Sequence, residues 1–220
     1  MTDWPPMPPA VARLPRQEGT GYPIPWFVAD VDGKPDFRVV RAERIPIAIR
    51  ERRCFMCGGL LVGLHGMTPR ATFPVGPMCV INRTSAEPPS HRACVHWAAQ
   101  MCPFLLKPGK GRRETNMPER AQAPGGISIP RNPGVIALWE SNTWHPEHVG
   151  NGIIFKIGDP LAVVWLSEGR PATRAEVLDS IDSGLPILTD IADEDGPAAV
   201  AALQAMTAAA MRYLPTETVS

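Results

Sequence analysis

Cys54-Phe-Met-Cys57-Gly58-Gly59 and, 31 residues beyond Gly59, Ser90-His91-Arg-Ala-Cys94-Val-His96-Trp97 are the stretches on which the fold turns. Two cysteines separated by two residues can place both sulfurs on one ion, and Gly58 lets the turn close with backbone amides facing the thiolates. Pro88-Pro89 block a helix, whereas Ser90 is a good N-cap, so a helix is expected to begin immediately after it. His91 and Cys94 then lie three residues apart, on one face of its first turn. Cys54, Cys57, His91 and Cys94 are therefore the expected ligand set for a structural Zn²⁺, with Cys79 in Gly-Pro-Met-Cys as the alternative to His91. Cys102 lies eight residues beyond Cys94, about 12 Å along a helix, and is expected as a core thiol with Val95, Ala98 and Ala99.

Between the two halves, Leu-Leu-Val-Gly-Leu-His-Gly (60–66) and Ala-Thr-Phe-Pro-Val-Gly-Pro (71–77) read as two strands joined by Met-Thr-Pro-Arg (67–70). The order knuckle, hairpin, helix resembles the treble-clef zinc finger over residues 54–102, with His91 where a cysteine is commoner. That resemblance extends to HNH nucleases, which are built on the same unit and use a His to activate water, an Asn to orient it and a second His on a catalytic metal. It would give those roles to His65, Asn82 and either His91 or His96. The phrases GPMCVINR, PPSHRAC and CPF also resemble uncharacterised proteins of bacteria and their phages, which implies no activity.

Outward from this unit, residues 1–25 hold seven prolines and read as an extended arm. Trp26–Val31 and Asp36–Arg41 flank Asp32-Gly33 and predict a hairpin, with Pro35 favouring a longer loop. Ile45–Arg50 reads as an edge strand, and 103–134 as a long loop carrying Lys107, Lys110, Arg112 and Arg113. Residues 135–140, 153–157 and 161–166 predict one small antiparallel sheet. Thr173 with Glu176 forms a capping box for a helix ending near Ile181 at Gly184-Leu-Pro, and Pro197 opens a last helix to about 213 with Val200, Leu203, Met206 and Ala210 on one side. The expected class is α+β: short antiparallel strands around the zinc unit, followed by helices. The expected division is an arm (1–25), a zinc-containing domain (26–169) and an acidic helical portion (170–220), packed on the domain or apart from it.

Formal charge is zero, yet residues 41–120 hold thirteen Arg or Lys against five Asp or Glu, while 170–220 hold three against eight. A basic middle fits an anion-binding face, with Arg83, Arg92, Arg112 and Arg113 as candidate contacts to nucleic acid, or a lobe docked on its own acidic tail. A protein–protein adapter or inhibitor, using the arm or the tail, is the other binding reading. His145, Glu147 and His148 are chemically a transition-metal set, but Pro146 excludes a helical arrangement and a surface loop is expected. No run of about 18 apolar residues and no secretory signal occur, so a cytoplasmic protein without membrane contact is expected. No nucleotide loop, nucleophile elbow or paired-carboxylate motif stands out.

Overall fold

The computed structural model describes residues 4–62, 69–106, 125–126, 132–150 and 152–216. Among them the chain is a mixed α+β structure of short antiparallel sheets with helices at its C-terminal end. No helix of the described residues is long and apolar enough to cross a membrane.

The organising strand is β5 (Val135–Ser141), every residue of which is buried. It pairs antiparallel with β3 (Ala71–Val75) on one side and β8 (Ala162–Ser167) on the other, and β8 carries the two-residue β9 (Arg170–Pro171). Side chains alternate across a strand, so a strand buried throughout needs cover on both faces. Val135, Ala137 and Trp139 enter the main core with α3 (Pro77–Asn82), α6 (Arg174–Asp195) and α7 (Pro197–Ala210). Ile136 and Leu138 instead meet Val95 and Ala99 of α4 (Arg92–Met101). The 153–157 segment does not join this sheet: β7 (Gly152–Ile157) lies between β4 (Thr84–Ser85) and β6 (Trp144–Val149) in a separate three-stranded sheet. Phe155 and Ile157 of β7 still reach the main core.

At the centre of that core Trp139 is fully buried and donates its indole N–H to the Gly158 carbonyl at 2.9 Å. The Arg83 guanidinium lies 4.5 Å from its ring centroid, and Tyr213 packs edge-on at 5.0 Å. Arg83 also bonds Gly158 O, Asp159 and the Tyr213 hydroxyl, so it ties the end of α3 to the β7–β8 turn and the C-terminal helices.

Several expectations change. Ile45–Arg50 lies in a helix, α2 (Arg44–Arg50), because Ile45 and Ile49 pack on the main core while Ala48, which a strand would turn outward with Pro46, is fully buried. Pro46 falls in the first turn, where its missing N–H has no helical acceptor to lose. The β1 (Val28–Val31) and β2 (Lys34–Val40) hairpin closes in two residues, Asp32 and Gly33, both at positive φ, and Pro35 is absorbed into β2. The 103–134 segment begins with a helical turn, α5 (Pro103–Leu106); Lys107, Lys110, Arg112 and Arg113 lie outside the described residues.

Helix α6 does not stop at Gly184 but runs 22 residues to Asp195 with Pro186 inside it. An interior proline costs about 3 kcal/mol. Burial of Gly184, Leu188 and Ala192 against the core offsets it. The capping box is present in full, Thr173 Oγ1 accepting from Glu176 N and Thr173 N donating to the Glu176 carboxylate. In α7, Leu203 and Ala210 are buried and Val200 half-buried, whereas Met206 stays exposed.

Arg170, with Thr173, holds the Glu176 carboxyl down at about 2. A depressed carboxyl contributes stability above the ordinary value of about 4.3, and that contribution is lost as pH falls toward about 2. The stability gap between wild type and Glu176→Gln, measured by urea unfolding, is expected to shrink between about pH 5 and pH 3. A gap that stays constant over this range would contradict the assignment.

Residues 4–25 are not an extended arm. They make one helical turn, α1 (Pro9–Ala12), whose Val11 is fully buried in an apolar cluster with Cys54, Met56, Leu61, Cys94 and Trp97. Trp4 stacks on Tyr22 at 5.3 Å, packs edge-on to Trp97 at 6.2 Å, and the Trp97 indole reaches the Pro5 carbonyl. Prolines here leave little backbone to satisfy, so an irregular segment can lie on an apolar surface at small polar cost.

Candidate metal centre

The first half of the site is built by a short pairing of the chain with itself. Arg53 bridges Leu60, Cys54 N donates to Gly59 O at 2.7 Å, and Gly58 N returns to Cys54 O at 2.8 Å. Gly58 adopts φ +73°, and a Cβ there would stand 2.8 Å from Cγ of Trp26. Both the left-handed backbone and the close approach of the indole require glycine. Gly58→Ala is expected to cost about 1–3 kcal/mol, read by urea unfolding. No measurable loss would contradict this.

The second half is the start of α4. Ser90 does not cap it; His91 occupies the N-cap position, while Ser90 Oγ accepts from Met56 N at 3.2 Å and Pro89 O accepts from Phe55 N. These bonds dock the knuckle onto the helix start. Thr72 and Ser90 exchange both backbone hydrogen bonds at 2.9 Å, which fixes the helix start to β3. Residues 63–68, in the expected hairpin, lie outside the described residues, and β3 pairs with β5.

Four donor atoms, from Cys54, Cys57, His91 and Cys94, lie within 4.8 Å of one another. Nδ1 of His91 stands 3.4 Å from Cys57 Sγ and 3.9 Å from Cys94 Sγ. A tetrahedron with bonds of about 2.3 Å has edges of about 3.8 Å, so these separations match ligands around one zinc-sized ion. His91 Nε2 is 3.0 Å from the Leu60 carbonyl. A carbonyl only accepts, so Nε2 carries a proton, and loss of the other proton to a bound cation would turn the Nδ1 lone pair toward the sulfurs' common centre. Cys54 Sγ accepts from the backbone N–H of Cys57 and of His91, and the N-terminus of α4 faces the same sulfurs.

The electrostatics of the bare donors call for a cation. Hydrogen bonds from Cys57 and then Cys94 hold the Cys54 thiol well below the usual range, while the Cys54 sulfur, followed by Cys57, pushes the Cys94 thiol well above it. Cys54 and Cys57 together hold His91 up at about 10. One thiolate thus makes the next costly, and three can coexist only against compensating positive charge. Cys54 and Cys94 are buried, Cys57 and His91 half-buried.

Among the described residues this is the one group of three or more His, Cys, Asp or Glu side chains that converges closely enough for an ion. Cys79 lies on α3, packed against the main core on the opposite face of the sheet from α4, where burial pushes its thiol up. Cys102 is half-buried at the C-terminal end of α4. His145, Glu147 and His148 are not in a loop but on the exposed strand β6 at the edge of its sheet. Alternation sends His145 and Glu147 to one face and His148 to the other. The nuclease constellation is not assembled among the described residues: Asn82 ends α3 and His96 is on α4, across the sheet from one another, His91 stands among the cysteines, and His65 lies outside the described residues.

Of the candidate partner contacts, Arg83 is occupied internally, Arg112 and Arg113 lie outside the described residues, and Arg92 stays more than half exposed beside Glu140. The sequence does not announce the ion pair between Arg70 and the buried Glu140, 3.1 Å apart. The one signal available was the carboxylate closing an otherwise apolar Val-Ile-Ala-Leu-Trp-Glu strand. No family model, curated protein or solved structure matches the chain.

Proposed function

We propose that the chain is a zinc-stabilised binding module, with a structural Zn²⁺ held by Cys54, Cys57, His91 and Cys94, that recognises an anionic partner, nucleic acid being the leading class. The observation that carries the metal reading is the His91 ring: pinned by Leu60 O through Nε2, it directs Nδ1 at two of three clustered sulfurs. Three thiolates and one imidazole form a soft, tetrahedral set that selects zinc over the hard cations. All four positions come from the protein, which is the pattern of a structural ion and leaves none open for substrate. The ion would join the knuckle, the start of α4 and, through their shared apolar cluster, residues 4–14.

The partner reading rests on the basic middle of the sequence and on the exposed Arg92, which sits between two of the proposed ligands. An adapter using a free Pro-rich arm is less favoured, since Trp4, Met7, Ala10, Val11 and Leu14 pack on the cysteine unit and Tyr22 stacks on Trp4. The metal reading is tested by elemental analysis of protein produced with zinc available, followed by chelation. One zinc per chain, and loss of the Trp4–Trp97 near-ultraviolet signal on its removal, are expected. Protein that folds identically without bound metal would refute it.

A further inference from the structure

We propose that Arg70 and Arg92 form a phosphate-gripping pair, seated on the buried Glu140 carboxylate, through which the module holds the sugar–phosphate backbone of nucleic acid. This rests on the reading of the chain as a binder of an anionic partner and gives that reading a surface.

The pair is created by strand register. Thr72 and Ser90 face each other across a two-bond antiparallel bridge. Two residues outward on each side stand Arg70 and Arg92, at matching positions. On its other side Thr72 pairs with Glu140 of β5, which brings the carboxylate beneath both. Glu140 is 4% exposed; its Oε1 is 3.1 Å from Arg70 Nη1 and its Oε2 3.8 Å from Arg92 Nη1. The two arginine side chains are 59% and 55% exposed.

One buried negative charge thus faces two positive ones, and no second acid among the described residues is paired with either arginine. A guanidinium carries five N–H donors, so most of those on each fork point away from Glu140 into solvent. The carboxylate accepts a hydrogen bond from Arg70 and attracts Arg92 across 3.8 Å, so part of the ordering a ligand would otherwise impose on the pair is done beforehand. Planar forks match phosphate oxygens in pairs.

Arg92 lies between His91 and Cys94, so metal binding would fix its backbone, and the Thr72–Ser90 bridge carries that constraint to Arg70. Among the described residues Phe37 on β2 is the one aromatic of the exposed large apolar side chains, so backbone contact rather than base stacking is expected, with little sequence preference.

The test is fluorescence anisotropy of a fluorescein-labelled mixed-sequence DNA duplex of about 20 base pairs, titrated with the zinc-loaded full chain between about 50 and 200 mM NaCl. The Arg70→Gln/Arg92→Gln variant is expected to bind at least about tenfold more weakly at the low-salt end and to lose about 2 from the slope of log K against log salt. Arg212→Gln is expected to match wild type.

Zinc content is measured on every sample. If the double variant loses zinc, Arg70→Gln alone, outside the ligand segment, should lower the slope by about 1. Salt-independent or absent binding by the zinc-loaded wild type, an unchanged slope in Arg70→Gln, or polyglutamate competing as well as unlabelled duplex would each overturn the proposal. Duplex binding that depends on both arginines in protein devoid of zinc would support the pair while refuting the metal reading.

Discussion

Cys54→Ser is expected to release the metal and open the cysteine unit while leaving the main core folded. Cys54 is fully buried, its sulfur accepts two backbone hydrogen bonds, and it sits in one apolar cluster with Val11, Leu61, Cys94 and Trp97. Binding of a structural zinc is worth on the order of 10 kcal/mol in small zinc domains, more than the whole stability of many proteins. Its loss should free residues 4–25, so trypsin should cut after Arg13 and Arg16 in the variant and spare them in wild type. The helical circular dichroism of α6 and α7, which belong to the other core, should change little. Cys79→Ser provides the contrast: its side chain faces that other core, so zinc content and the tryptic pattern should match wild type. A Cys54→Ser protein with full zinc and unchanged proteolysis would contradict the assignment.

Trp139→Ala is expected to cost about 3–5 kcal/mol, as for other fully buried aromatics. The ring is in contact with more than apolar neighbours. Its loss would remove a donor from Gly158 O and the face on which Arg83 lies, so the pin between α3, the β7–β8 turn and Tyr213 would loosen with the core. Because Trp139 and the cysteine unit lie in separate apolar clusters, zinc content should persist in the folded variant. Urea unfolding that shows a loss below about 1 kcal/mol would mean the cavity is refilled by neighbours.

The cysteine pair, the His91–Cys94 spacing and the Thr173–Glu176 box were legible because each is a local device whose chemistry is complete within a few residues. What was not legible depended on surfaces far away in sequence. Ile45–Arg50 satisfies both a two-residue and a helical spacing, and the choice is made by the core that receives Ile45, Ala48 and Ile49. The Gly184-Leu-Pro sequence reads as a stop, yet α6 continues because Leu188 and Ala192 find partners in the main core. Ser90 reads as a cap, but its hydroxyl serves Met56 N across the site and His91 takes the N-cap position. The assignment of 153–157 to the wrong sheet has the same origin: pairing partners are long-range choices that composition does not encode. Residues 1–25 lack periodicity and so read as an arm, while Trp4, Val11 and Leu14 supply the apolar contacts that hold the segment down.

X-ray absorption at the zinc edge on the intact chain tests the ligand set most directly. Three sulfurs at about 2.3 Å and one imidazole nitrogen at about 2.0 Å are expected. A four-sulfur shell, a shell rich in oxygen and nitrogen, or the absence of zinc would contradict the site formed by Cys54, Cys57, His91 and Cys94.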